Sequence, residues 1–133
     1  MSSTRPKYES LAPCHLLVCE DNEDNLFLIQ TLARSYGCTT TSAHNGQQAI
    51  DYCQETHYDA ILMDLAMPRV SGLEASKLIR SSDNPNQKTP IIAVTAEVCS
   101  LAQSASVSFG INAYISKPVD PVLLHQTIQK LVK

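Results

Sequence analysis

Apolar and polar positions alternate along this chain in two kinds of block. Short runs that are apolar throughout, "CHLLVCE" at 14–20, "DAILMD" at 59–64 and "PIIAVTA" at 90–96, have the length of strands buried on both faces. "CTTTSA" at 38–43 reads as another strand through its β-branched residues, and "NAYIS" at 112–116 as the last. The intervening blocks carry helical periodicity. "NLFLIQTLARSYG" spaces Leu26, Ile29, Leu32, Ala33 and Tyr36 on one face and closes on Gly37, and "GQQAIDYCQE" does the same with Ala49, Ile50 and Cys53. "GLEASKLIRSS" forms a third helix after a loop through Met67 and Pro68, and "SLAQSASVSFG", ending at Gly110, a Ser-rich fourth. Asp120 as N-cap and Pro121 at the first helical position open a fifth, with Leu124, Ile128 and Leu131 as its core-facing stripe.

Strands alternating with helices, and apolar on both faces, predict the α/β class: a doubly wound, five-stranded parallel sheet with five helices covering its two sides through right-handed crossovers. Residues 1–13 mix Ser, Thr, Pro and charge without a period, which predicts a flexible tail or linker ahead of a folded domain at 14–133. Doubly wound sheets bind ligands just beyond the C-terminal ends of their strands, so those ends are the positions to read.

Strand one ends in Glu20 and Asp21, strand three in Asp64, strand four in Thr95 and strand five in Lys117-Pro118. Each has a structural alternative. Asp21 with Asn22 caps the next helix, Thr95 caps the one after it, Asp64 begins a turn, and Lys117 is a solvated charge. Together they point elsewhere, because clustered carboxylates raise one another's pKa unless a cation neutralises them. A hard divalent ion suits such oxygen ligands, and Mg²⁺ needs few carboxylates beside its waters. Beside it Asp64 stays ionised and can act as a nucleophile toward phosphorus, with Lys117 and Thr95 placed for the phosphoryl oxygens.

Composition narrows the field. The 133 residues are 44% hydrophobic and 17% charged with net charge −3, so no basic face for nucleic acid is expected. No apolar run approaches the roughly 20 residues of a membrane span, and "MSSTRPKYES" lacks the apolar core of a signal peptide; no membrane insertion and a cytoplasmic location are expected. The five cysteines, at 14, 19, 38, 53 and 99, show no CxxC or metal-ligand spacing and read as buried free thiols. His15, His44, His57 and His125 are scattered and read as structural or solvent-facing.

The segments "LLVCEDNEDN", "ILMDLAMPRVSGLEA", "PIIAVTA" and "AYISKPVD", in that order over about residues 14–132, resemble the receiver domain of response regulators in two-component phosphorelays. The resemblance implies a flavodoxin-like strand order 2-1-3-4-5 and makes Asp64 the phosphoacceptor. It assigns Mg²⁺ to Glu20, Asp21, Asp64 and the backbone carbonyl of Ala66. It gives Thr95 and Lys117 phosphate contacts, pairs Thr95 with Tyr114 as a conformational switch, and implies a cis Lys117-Pro118 bond. In that family the positions that Ala66 and Glu97 occupy tune phosphoryl lifetime, and Met67-Pro68 and Gly72 are expected to hold the loop around Asp64 in shape. The implied partners are a sensor histidine kinase and/or a histidine-phosphotransfer protein, meeting the first helix at Asn25, Phe27 and Leu28. "EDNEDN" resembles receivers joined to hybrid histidine kinases more than free-standing ones. Three other readings stay open. A flavin carrier of the same fold would need a phosphate-binding loop where "EDNEDN" stands. A phosphorylation-dead receiver would need no complete set of Asp64, Thr95 and Lys117. A phosphohydrolase would need a second carboxylate where Ala66 stands.

Overall fold

The sequence alternation is laid out in space as β1 (His15–Cys19), α1 (Glu23–Ser35), β2 (Thr39–Ala43), α2 (Gly46–Glu55), β3 (Ala60–Asp64), α3 (Gly72–Ser81), β4 (Ile91–Thr95), β5 (Ala113–Ser116) and α4 (Pro121–Val132). These elements belong to a computed structural model that describes residues 8–67, 69–96 and 110–132. The helix predicted over 100–110 lies, except for Gly110, outside the described residues, as do Pro68 and Glu97, so four helices are seen where five are expected.

All five strands are parallel, in the order β2-β1-β3-β4-β5. Alternation along each strand sends successive side chains into two cores. Leu16, Val18, Leu62, Ile92, Val94 and Ile115 meet Leu26, Ile29 and Ala33 of α1 and Leu124 and Ile128 of α4. Leu17, Cys19, Ile61, Met63, Ile91 and Ala93 meet Ala49, Ile50 and Cys53 of α2 and Ala75 and Ile79 of α3. Helices on both faces of a parallel sheet leave the strand ends as its exposed edges.

The helix starts follow local side-chain chemistry. Asn22 caps α1 by accepting from the Asn25 N–H at 2.9 Å, so Asp21 beside it is left exposed and uncommitted to capping. Ser71 and Glu74 form a capping box on α3, and Asp120 accepts from the Val122 N–H at 2.9 Å to begin α4. Gly37 ends α1 at φ +85°, a conformation that glycine adopts without strain.

Residues 8–13, expected to belong to a tail or linker, pack on the first core. Leu11 is 6% exposed and its N–H donates to the Tyr36 carbonyl at 2.8 Å. Tyr8 stands edge-on to Tyr36 with centroids 4.9 Å apart, and His125 Nε2 lies 2.7 Å from the Glu9 carbonyl oxygen. The signal was Leu11 itself, one apolar residue amid polar ones, too short a pattern to show a period.

Candidate functional site

Register brings the acidic strand ends together. Cys19 pairs with Met63, so the next residues, Glu20 and Asp64, are neighbours where β1 and β3 end. Asp64 pairs with Val94, and Thr95 with Ser116, which sets Thr95 and Lys117 on the same edge. Carboxylate oxygens of Glu20, Asp21 and Asp64 lie within 4.8 Å of one another, a spacing that can hold a metal ion. Glu20 is 1% exposed and Asp64 5%, whereas Asp21 faces solvent.

Lys117 bridges the two buried acids. Its Nζ lies 3.0 Å from Glu20 Oε1 and donates to Asp64 Oδ2 at 3.3 Å. Burial opposes the Lys117 charge, but Glu20 and Asp64 outweigh it by hydrogen bonding and attraction and hold its pKa above the usual value. Burial pushes the Glu20 carboxyl upward; the Lys117 bond works against this, Asp64 adds to it, and the Asn22 N–H relieves it in part. That N–H donates to Glu20 Oε2 at 3.2 Å. Glu20 Oε1 has no aligned hydrogen bond and only its ion pair with Lys117 among the described residues. A buried carboxylate oxygen left so short of donors beside two more carboxylates is suited to a hard cation.

The Ala66 N–H donates to Asp64 Oδ1 at 3.0 Å, which fixes the carboxylate's rotation. Behind it, Gly72 opens α3 so close to β3 that a Cβ there would collide with the Asp64 carbonyl oxygen. Asp64, Ala66, Thr95 and Lys117 line one cavity of about 400 Å³, together with Leu65, Leu73 and Ala96. The last three carry no chemistry-bearing side chain; adjacency to Asp64 and Thr95 could have signalled Leu65 and Ala96, and nothing local signals Leu73. The Lys117-Pro118 bond is cis.

The remaining candidates lie around this edge. Tyr114 is on β5, half-buried, with its hydroxyl oxygen buried and without a hydrogen-bond partner among the described residues. On α1, Phe27 is 66% exposed and Leu28 42%, while Asn25 is half-buried. Asn25, Leu28 and Ile29 line a small cavity of about 50 Å³ with Lys117, Pro118 and Val119. Val119 belongs to this groove though the sequence pattern did not single it out. Cys14, Cys19, Cys38 and Cys53 are buried free thiols, and Cys99 lies outside the described residues. No helix among the described residues is long and apolar enough to cross a membrane.

The chain is similar in sequence and fold to known proteins. The chain is 40% identical over 124 residues to hybrid signal transduction histidine kinase I of Dictyostelium discoideum, covering 89% of the chain but only 7% of that protein. It is 37% identical to the polar-differentiation response regulator DivK of Brucella anthropi, covering 88% of the chain and 94% of the relative. Among solved structures it resembles the receiver domain of a sensor histidine kinase from Pseudomonas aeruginosa, crystallised with magnesium in its active-site cleft. The TM-score is 0.83 and the identity 33%, over 91% of this chain and 98% of that one. It also resembles the receiver domain of the Saccharomyces cerevisiae response regulator Ssk1, solved with the histidine phosphotransfer protein Ypd1. There the TM-score is 0.80 and the identity 29%, over 89% and 88% of the two chains. The family model of the response regulator receiver domain matches residues 16–129, and the chain belongs to that family.

Proposed function

We propose that this chain receives a phosphoryl group from a phosphohistidine donor onto Asp64, in a Mg²⁺-dependent reaction, and changes conformation in response. The observation that carries the reading is the buried Glu20–Lys117–Asp64 bridge with Asp21 beside it. Glu20, Asp21, Asp64 and the Ala66 carbonyl would hold the ion, as the resemblance implies. When bound, Mg²⁺ supplies charge neutralisation for the phosphoryl oxygens.

The chain's own groups do the rest. An Asp64 carboxylate oxygen attacks phosphorus as the phosphorus–nitrogen bond of the donor breaks, the electron pair stays on nitrogen, and the ring, taking up a proton from solvent, leaves as neutral imidazole beside the new acyl phosphate. Lys117 exchanges part of its pairing with Asp64 for a phosphoryl oxygen, and the Thr95 hydroxyl donates to another. Rotation of Tyr114 then follows Thr95, and its unpaired hydroxyl supports this, since turning the ring forfeits no hydrogen bond among the described residues.

For the donor, the exposed Phe27 and Leu28 and the groove lined by Pro118 and Val119 support docking of a histidine kinase or histidine-phosphotransfer protein beside Lys117. The Ssk1–Ypd1 structure supports the same kind of partner. The chain is then a cytoplasmic signalling receiver that catalyses only its own phosphorylation and dephosphorylation. Its similarity to a hybrid kinase and to DivK supports both a joined and a free-standing setting.

Incubating the protein with Mg²⁺ and a small acyl-phosphate donor, followed by intact mass, tests the reading. One added phosphoryl group, lost in Asp64→Ala, is expected. If neither the small donor nor a phosphorylated histidine-phosphotransfer protein adds one, or if Asp64→Ala retains it, the reading fails.

A further inference from the structure

Two thiols meet at the end of the sheet opposite the acidic site. Cys14 and Cys38 stand one register position before the His15–Thr39 pair of β1 and β2, and the Thr39 N–H donates to the Cys14 carbonyl at 2.9 Å. Neighbouring strands run about 4.8 Å apart, inside the roughly 4.4–6.8 Å between Cα atoms that a disulfide spans. Both side chains enter the same core, with Leu16 and Val18. Cys19 and Cys53 lie in the other core and Cys99 lies outside the described residues.

The pair is chemically unequal. The hydrogen bond from Cys38 lowers the Cys14 pKa, against the opposing effects of burial and of Asp59. Cys38 is held well above the usual thiol range, first by that same bond and then by burial. These opposite directions favour Cys14 as the attacking thiol and Cys38 as the resolving one. Cys14 and Cys38 are 6% and 3% exposed, and exposed residues flank both in sequence, Ala12 and Pro13 before the first and Gly37 and Thr39 around the second.

We propose that Cys14 and Cys38 form a redox pair that a peroxide converts to an intramolecular disulfide. The Cys14 thiolate attacks a peroxide oxygen, the O–O bond breaks, and the leaving oxygen departs as water after taking up a proton. Cys14 is now a sulfenic acid. The Cys38 sulfur attacks the Cys14 sulfur, the S–O bond breaks, and a second water leaves with the Cys38 proton. Two thiols and one hydrogen peroxide give one disulfide and two waters. The new ring encloses β1 and α1, which restricts the unfolded chain and favours the folded one.

Hydrogen peroxide, alkylation of remaining thiols and peptide mass spectrometry test this on the full chain. A Cys14–Cys38 cross-linked peptide is expected, with an upward shift in thermal midpoint. In Cys38→Ser, Cys14 should accumulate as a sulfenic acid trapped by dimedone and the midpoint should not move. The proposal is overturned if both thiols are alkylated in the folded, peroxide-treated protein, if the cross-link forms only in denaturant, or if it joins other cysteines instead. Acyl-phosphate labelling of Asp64 in the same samples reports folding independently.

Discussion

At the residue scale, Glu20 sets the electrostatic character of the site. A carboxyl whose pKa is raised in the folded state is one whose ionised form the fold disfavours. The folded protein therefore binds the proton more tightly than the unfolded chain. Without metal, stability falls as pH rises from the ordinary carboxylate range through the raised Glu20 value, and the penalty persists above it. Glu20→Gln is expected to raise the thermal midpoint at neutral pH in EDTA, because it removes the buried charge that the fold disfavours. It should also flatten the pH slope in urea titrations. Mg²⁺ should raise the midpoint of the wild type, as any ligand of the native state does, and raise that of Glu20→Gln less. A wild-type midpoint indifferent to Mg²⁺ would count against a metal at Glu20, Asp21 and Asp64.

At the element scale, α1 carries a buried face and an exposed apolar one, proposed above for docking. Ile29 is 2% exposed and Phe27 66%. Ile29→Ala is expected to cost about 2–5 kcal/mol, the usual range for a deleted core side chain. Phe27→Ala should stay within about 0.5 kcal/mol of wild type in denaturant titration yet slow phosphoryl transfer from a histidine-phosphotransfer protein while leaving labelling by a small donor intact. Equal transfer rates for Phe27→Ala and wild type would falsify the docking role. Gly72 poses the opposite case, because it opens α3 against the backbone of β3. Gly72→Ala is expected to cost about 1–3 kcal/mol through overpacking and, by moving the Asp64 backbone, to slow small-donor labelling as well. The strand ends were legible because continuous apolar runs stop abruptly at Glu20 and Asp64. The distances among them were not, since the placement of Glu20 beside Asp64 follows from strand register, which no local pattern encodes. Gly72 was legible only as a loop residue, because the closeness of β3 and α3 is a tertiary fact.

For the molecule as a whole, the segment before β1 closes the end of the sheet remote from Asp64. Leu11 joins the core shared by α1 and α4, while Tyr8, Tyr36 and His125 pack ring against ring, with Tyr36–His125 centroids 5.0 Å apart. The Tyr36 hydroxyl donates to the Pro121 carbonyl at 2.6 Å, so the end of α1, the start of α4 and the N-terminal segment form one knot. The start of α4 follows Lys117 closely, but Tyr8 and Leu11 precede β1, and Glu20 follows its far end; five-residue strands span about 16 Å at roughly 3.3 Å per residue. Stability and chemistry should therefore come apart on mutation. Leu11→Ala is expected to lower unfolding free energy by about 2–3 kcal/mol, near the lower end for a buried Leu because one face of the segment meets solvent. The folded fraction should still take one phosphoryl group on Asp64 at the wild-type rate. A loss below about 0.5 kcal/mol in urea titration would mean that residues 8–13 cover the core without supporting it, and a slowed Asp64 reaction in fully folded protein would mean that the two ends of the sheet are coupled.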